Sequence, residues 1–517
     1  MKKMKKLLSL VLTVAMVVAM GITTFAAGTT GHTISVNSGS AHTYEVYQIF
    51  TGTYADGKLS DIKWGKNGKN DNASVTVGDA VPTAVLNDIE TNAKTGSSDN
   101  TKLAVIEKYA DLTATNAFGT VDKDHALTDV PAGYYLIKDV NGSVSGNDAY
   151  TTYLVQVVNK NVTVNPKSEV PSVDKQVWDE TADAETGAVD GWGETADHAI
   201  NESFQFKLTA TVPNDNNMDA YTHYQMKFND TMSAGVTFEK IDSVKVFDAN
   251  GTSHELTADQ YSVNGVQGGE AGKTWNLTIA DLMQLNLGIT SPKNVKVEVV
   301  YSAHLNENAV VNNTKPNNKN KVGLEYSNNP KWNGTGEPDK GNTTEDTVFV
   351  FTYEIDNTKV DGTNHDTKLA GAEFVLRKGS EDGKEVKFAF NNGVYTPDEE
   401  GNATLTSAET TGKFNIKGLD VGTYYLVETK APEGYSICKP IKVEITATHA
   451  ENEVGTDANA IIKVNNVENG TDVTVENFKQ SILPSTGGIG TTIFYVIGGI
   501  LMVGAGVILV SRRRRSK

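Results

Sequence analysis

Two lysines and two asparagines stand where a β-strand would bury them. In the run from Tyr353 to Lys359, strict alternation puts Tyr353, Ile355, Asn357 and Lys359 on one face, because successive strand side chains point to opposite sides of a sheet. Val473, Val475 and Asn477 alternate in the same way, as do Val173, Lys175 and Val177, and Asn320, Val322, Leu324 and Tyr326. An ammonium among apolar neighbours loses its hydration, so burial lowers its pKa toward the neutral, nucleophilic amine. Amine attack on a carboxamide is slow in water, but contact fixed within a dry core supplies a large effective concentration. The product would be a covalent amide inside one chain. Each residue also has an ordinary reading: a lysine can snorkel to the surface, and an asparagine can bond its own turn.

A second place for chemistry lies near the C-terminus. Leu483-Pro484-Ser485-Thr486-Gly487 precedes an uncharged apolar stretch, Ile489 to Val510, and then Arg512, Arg513, Arg514, Arg515 and Lys517. Proline fixes the backbone and glycine leaves the following bond accessible, which suits an extended substrate in an enzyme groove. The apolar stretch is long enough to cross a bilayer, and the basic tail is expected to stay cytoplasmic. At the other end Met1 to Ala26 reads as a secretory signal. Lys2, Lys3, Lys5 and Lys6 precede the apolar run Leu7 to Met20, and Thr24-Phe25-Ala26 offers a small-residue cleavage site. Export with a C-terminal anchor follows as the expectation.

Composition bounds what lies between. The 517 residues carry a net charge of −18, which leaves no basic stripe for nucleic acid. One cysteine, Cys438, forbids an intrachain disulfide and a multi-cysteine zinc site. Acidic residues such as Asp361, Asp366, Asp398, Glu399 and Glu400 match no EF-hand spacing and read as solvated surface, so neither metal nor cofactor is expected.

The elements that must position the lysines and asparagines are strands. Tyr153 to Val158, Val295 to Val300 and Ile441 to Ile445 are β-branched, with Asn, Asp and Gly clustered between such runs. We expect a mainly β chain of tandem immunoglobulin-like sandwiches, with a few short helices in the N-terminal part, notably over 101–114, where Leu103, Ile106 and Tyr109 or Ala110 share a face. Lys167 to Ser172 and Asn328 to Asp346 read as linkers. The expected divisions are a signal at 1–26, domains at 27–168, 169–348 and 349–480, and a sorting region at 481–517.

Several stretches resemble a known family. Leu483 to Gly487 matches the LPxTG sorting signal of Gram-positive surface proteins, in the right order with span and basic tail. Lys368 to Phe374 and Gly422 to Tyr435 resemble the Cna B-type domain of Gram-positive pilins, the second stretch being its E-box. The resemblance implies a spontaneous isopeptide bond between Lys359 and Asn477, assisted by Glu428. A buried acid stays protonated, polarises the asparagine carbonyl and shuttles protons to departing ammonia. Phe228 to Met232 with Gly235 to Phe238 resembles the acid-bearing segment of the middle domain in backbone pilins, which implies a second triad of Lys175, Asp230 and Asn320. Asn312, Asn313, Asn317 and Asn318 crowd the same region as competing acceptors, and Asp230 could be a turn residue.

The first domain departs from the pattern. Pro131 to Lys138 resembles the E-box, but aligning Tyr-Tyr-Leu puts Lys138 where Glu428 stands, so no crosslink is expected by that route. Val162 to Lys167 resembles the pilin motif with Asn165 in place of tyrosine, which implies that Lys167 is the amine joined to Thr486 of a neighbouring subunit. Repeating that link head-to-tail gives an open filament.

The family implied is the sortase-assembled backbone pilin, a shaft subunit at the cell wall. Its implied partners are a pilin-specific sortase, further copies of itself, ancillary pilins and peptidoglycan; the sequence names no host ligand. A wall-anchored adhesin or tip pilin is the alternative, and a secreted enzyme a third. Against the enzyme stand nine scattered histidines with no GxSxG and no zinc-helix motif.

Overall fold

Alternating β-branched and polar residues fold most of the chain into short strands. The computed structural model describes residues 31–37, 42–55, 58–70, 74–93, 104–113, 115, 117–140, 154–164, 169–179, 191–312, 314–315, 317–451, 457–480 and 489–515. They divide into two compact units, Met1–Ser168 and Glu169–Lys517.

In the first unit, His32–Val36 pairs with Leu127–Val130 and, in parallel, with Val162–Val164. A second sheet is built on Tyr44–Ala55, flanked by Lys58–Trp64 and Gly133–Asp139, with Leu154–Val158 beyond. Among the described residues of this unit, Thr83–Asn92 is a regular helix, and the helix expected over 101–114 does not continue through 107–113. Of that stretch, residues 104–106 are helical, and the backbone then turns so that Tyr109 accepts from the Lys69 amide and Ala110 bridges Gly68. Ile106 and Ala110 are buried and Tyr109 packs against the same core, whereas Leu103 lies outside the described residues.

The second unit holds two sandwiches. In the middle one, a sheet centred on Ser172–Trp178, Ser203–Thr211 and Lys296–Leu305 faces a sheet centred on Met226–Met232, Asn318–Ser327 and Asp346–Phe351. Inward positions of both form one core that includes Phe206, Phe228, Leu277 and Val322. In the C-terminal one, Tyr353–Asp361 runs parallel to Asp472–Asn477, opposite a sheet of Glu373–Lys378, Gly422–Lys430, Ile441–Glu451 and Ala458–Val464. These are tandem immunoglobulin-like β-sandwiches.

The passage between the two sandwiches is a shared strand. In Asp346–Phe351, Val348 and Val350 enter the middle core, whereas Phe349 and Phe351 enter the C-terminal core. The stretch 328–346, rich in Asn, Gly and Pro, is correspondingly not a tether. It folds back on the middle sheet, where Lys340–Asn342 pairs with Asn318–Ser327, the Asn328 amide donates to Asp339 O at 3.0 Å, and Asn329 Nδ2 donates to Asp339 Oδ2 at 2.8 Å. Turn-rich composition marks loops, and here those loops belong to a hairpin.

Ile489–Arg515 is one helix whose last turn carries the arginines. Phe494, Tyr495, Leu501 and Met502 are exposed on it, and the helix is long and apolar enough to cross a bilayer.

Candidate crosslinking sites

The parallel pairing of the first and last strands of the C-terminal sandwich decides what Lys359 meets. Lys359 is in register with Val475, so its Nζ reaches along the strand to the Asn477 carboxamide oxygen, with which it makes a close hydrogen bond. It also donates to the carbonyl oxygen of Val475 at 3.1 Å. Glu428, across the sandwich on Gly422–Lys430, accepts from Asn477 Nδ2 at 2.9 Å and 3.0 Å through its two oxygens, and lies 3.8 Å from the lysine. All three side chains are buried. Burial holds the Lys359 amine below its usual range despite the nearby Glu428. Nucleophile and acid therefore lie on the two sides of one carboxamide, and the acid lies on the nitrogen that must leave.

One contact here carries no sequence signal. The Cys438 amide donates to Glu428 Oε2 at 2.7 Å and fixes the carboxyl through the backbone, whatever side chain the position bears. The thiol itself is partly buried, and burial pushes it up to about 11.

The middle sandwich brings its three residues together in a different order. Lys175, on Ser172–Trp178, faces Asp230 and Asn320, which sit on paired strands of the opposite sheet. Lys175 Nζ donates to Asp230 Oδ2 in a close contact. Burial lowers the lysine pKa and raises that of Asp230, each against the pull of the other's charge. Both are thus driven toward their neutral forms, amine and carboxylic acid, before any bond forms.

Tyr301 is the residue that sequence reasoning missed. Its hydroxyl donates to Asp230 Oδ2 at 3.1 Å, accepts from Lys175 at 3.1 Å and accepts from Asn320 Nδ2 at 2.5 Å. It joins all three members of the triad. Trp275 adds a donor to Asp230 Oδ1 at 3.1 Å. In the sequence both aromatics look like ordinary inward positions of alternating strands. Tyr301→Phe keeps the ring and removes the hydroxyl that holds the carboxamide. Because misplacement of a reacting group by about 1 Å can slow a reaction about 100-fold, crosslinking in this variant should slow by that order in a mass-resolved time course. The crosslinked product should unfold within about 1 kcal/mol of wild type.

Competing asparagines are engaged elsewhere. Asn312 donates to Glu354 at 3.1 Å, Asn317 to Ala458 O at 2.6 Å, and Asn318 both donates to and accepts from the Val310 backbone. Asn313 lies outside the described residues, as do Lys167 and Leu483, Pro484, Ser485, Thr486 and Gly487.

In the first unit the E-box comparison shifts by one residue. Tyr135 is the buried tyrosine and donates to Pro131 O, four residues back, as Tyr424 donates to Asp420 O. The residue four beyond Tyr424 is Glu428; four beyond Tyr135 is Asp139, which is buried and paired with His42 Nδ1 at 2.8 Å. Lys138 points the other way and pairs with Glu45 at 3.2 Å. An acid is thus present, in contrast to the Tyr-Tyr-Leu alignment, whereas the amine position is changed. Matching Val162-Thr163-Val164 to Val473-Thr474-Val475 puts Val36 where Lys359 stands.

Taken together these features define an exported, wall-anchored protein of tandem β-sandwiches, two of which bury a lysine, an acid and an asparagine. Family comparison narrows the class. Residues 354–460 match a prealbumin-like fold domain, 200–330 match the Cna-B-like domain of Gram-positive pilin backbone subunit 2, and 479–517 match the LPXTG cell wall anchor motif. The chain thus carries a Gram-positive pilin backbone domain and an LPXTG cell-wall anchor, which place it at the cell wall surface.

Among relatives, it is 26% identical over 418 residues to the trypsin-resistant surface T6 protein of Streptococcus pyogenes serotype M6, covering 67% of this chain and 70% of that one. It is 25% identical over 348 residues to fimbrial subunit type 2 of Actinomyces naeslundii, covering 62% of this chain and 58% of that protein. Among solved structures, the T6 backbone pilin superposes with a TM-score of 0.46 at 18% identity, covering 89% of this chain and 100% of that one. The full-length major pilin SpaD of Corynebacterium diphtheriae does so at 0.45 and 17%, covering 87% and 98%.

Proposed function

We propose that this structural pilus subunit is polymerised by a sortase through Lys167 and Thr486, and that each sandwich of its second unit is closed by a spontaneous intramolecular amide. The observation that carries the second half is the burial of Lys359, Glu428 and Asn477 in mutual contact, with a second set in which Lys175 bonds Asp230 and Asn320 is linked to both through the Tyr301 hydroxyl. In each, the neutral lysine nitrogen attacks the asparagine carbonyl carbon. The C–N bond to Nδ2 breaks, the acid takes a proton from the attacking nitrogen and gives one to the leaving group, and ammonia departs. Neither oxidant nor cofactor is required, and the acid ends as it began.

The first half rests on the LPxTG match and the pilin-motif resemblance around Lys167. A sortase would cleave after Thr486, hold the chain as a thioester, and pass it to the Lys167 amine of the next subunit, with no role for the helix beyond holding the precursor. Ancillary pilins and peptidoglycan would accept the same acyl group. Lys167→Arg keeps the charge and removes the acceptor. On denaturing gels of wall extracts the high-mass ladder should vanish while exported monomer persists. A ladder unchanged in this variant would refute the linkage and favour an adhesin or another acceptor lysine.

A further inference from the structure

Where the middle and C-terminal sandwiches meet, ionisable side chains converge in a place closed to water. Asp179 follows Ser172–Trp178, Asp197 ends Thr195–Asp197, and His449 lies on Ile441–Glu451 of the other sandwich. Their side chains are at most 1% exposed. His449 Nε2 is 3.4 Å from Asp197 Oδ2 and 3.7 Å from Asp179 Oδ2. One ligating atom from each residue falls within 4.8 Å of the other two.

The surroundings orient these atoms. His449 Nδ1 is committed to Thr195 Oγ1 at 2.8 Å and Phe351 stacks on the ring, so Nε2 is the nitrogen turned toward the carboxylates. Tyr353 donates to Asp197 Oδ2 at 2.7 Å, and the Asp197 amide donates to Asp179 Oδ2 at 3.2 Å. Beside Asp197 lies the buried Asp420, whose carboxyl is pushed up to about 10 by burial and by the Asp197 charge, so that it stays protonated and hydrogen-bonds Asp197. Two carboxylates facing one imidazole carry more negative charge than the ring could neutralise even if protonated, and uncompensated buried charge is strongly unfavourable.

We infer that Asp179, Asp197 and His449 form a site for a divalent transition-metal ion, best matched by Zn2+, that ties the middle sandwich to the C-terminal one. Zinc bonds of about 2.1 Å to nitrogen and carboxylate oxygen in a tetrahedron imply ligand-to-ligand edges of about 3.4 Å, close to the 3.4 Å and 3.7 Å that separate His449 Nε2 from the two carboxylates. Calcium and magnesium favour larger, all-oxygen shells. Thr195 supplies the outer hydrogen bond that a metal-binding imidazole commonly makes through its other nitrogen. Nothing in the sequence spacing reveals the set, because its members come from separate strands and join only when the two sandwiches dock. Zinc would thus add a crosslink between sandwiches where the proposed amides act within each one.

The test uses the full chain purified in detergent, stripped with a chelator, incubated with Zn2+ and desalted, with bound metal measured by elemental mass spectrometry and stability by calorimetry. Wild type should retain an equimolar amount of zinc and unfold at a higher temperature than the stripped protein. His449→Gln and Asp197→Asn should each lose at least about tenfold in retained zinc, and Thr195→Val about tenfold in affinity. Unchanged far-ultraviolet dichroism, checked in each variant, separates lost ligation from lost fold. Zinc retention by wild type no greater than that of His449→Gln would overturn the site and leave the cluster held by protons alone. Equal retention by all variants would overturn it as well, by placing the metal elsewhere.

Discussion

The purified protein should weigh less than its sequence by two ammonias, and Lys359→Ala and Lys175→Ala should each restore one. Intact-mass measurement on the folded protein reads this directly, and a full mass with no deficit in wild type would sink the crosslink proposal. The expected effect on stability is large. The Lys359 to Asn477 bond closes a loop whose ends are 118 residues apart, and the entropy removed from the unfolded chain by closing a loop of that size is worth about 5 kcal/mol. Loss of that term should lower the calorimetric midpoint of the C-terminal sandwich by an order of 20 °C. Because the bond joins the first strand to the last, pulling force in the crosslinked protein bypasses most of the sheet. Trypsin at elevated temperature gives a second readout: the C-terminal sandwich should resist in wild type and be cut in Lys359→Ala, while the middle one resists in both.

How much of this was legible in the chain follows from what two-residue periodicity can and cannot encode. Lys359 and Asn477 stood out because a polar side chain interrupts an otherwise apolar face, and both are fully buried in the fold. Asn320 shares a face with Val322, Leu324 and Tyr326, but periodicity alone did not separate it from Asn318 on that face; it is the fold that engages Asn318 with the Val310 backbone. Tyr301 was not legible. A tyrosine at an inward strand position has the same pattern whether its hydroxyl meets a catalytic acid or a loop carbonyl. The one-residue slip between Lys138 and Asp139 has a related cause. Two adjacent tyrosines allow two registers, and only burial of Tyr135 in the first unit and Tyr424 in the C-terminal sandwich decides between them. Contacts between sandwiches, such as His449 with Thr195, were beyond reach, since nothing local in either strand anticipates docking. The Lys167 and Thr486 assignments remain readings of sequence motif.

Removing the acid of the middle site should expose the chemistry that the finished bond conceals. In Asp230→Ala the proton shuttle is gone, so the mass should rise by one ammonia and Lys175 should remain a free, buried amine. Losing the loop closure between Lys175 and Asn320 should cost about 5 kcal/mol of stability. The variant should also acquire a pH dependence that wild type lacks. Burial already depresses the Lys175 pKa even though Asp230 pulls it upward, so deleting Asp230 depresses it further. With the folded pKa below the unfolded value of 10.5, the unfolded chain binds more protons in the interval between them, and stability must rise with pH across it. The contribution is fully present above the unfolded pKa and is lost as pH falls through the folded one, at about 1.4 kcal/mol per pH unit. Thermal midpoints of Asp230→Ala should therefore climb from neutral pH toward pH 10. In wild type, where the same nitrogen is an amide with no proton to exchange, this slope should be absent. A slope shared by both proteins would mean that Lys175 is still an amine in wild type.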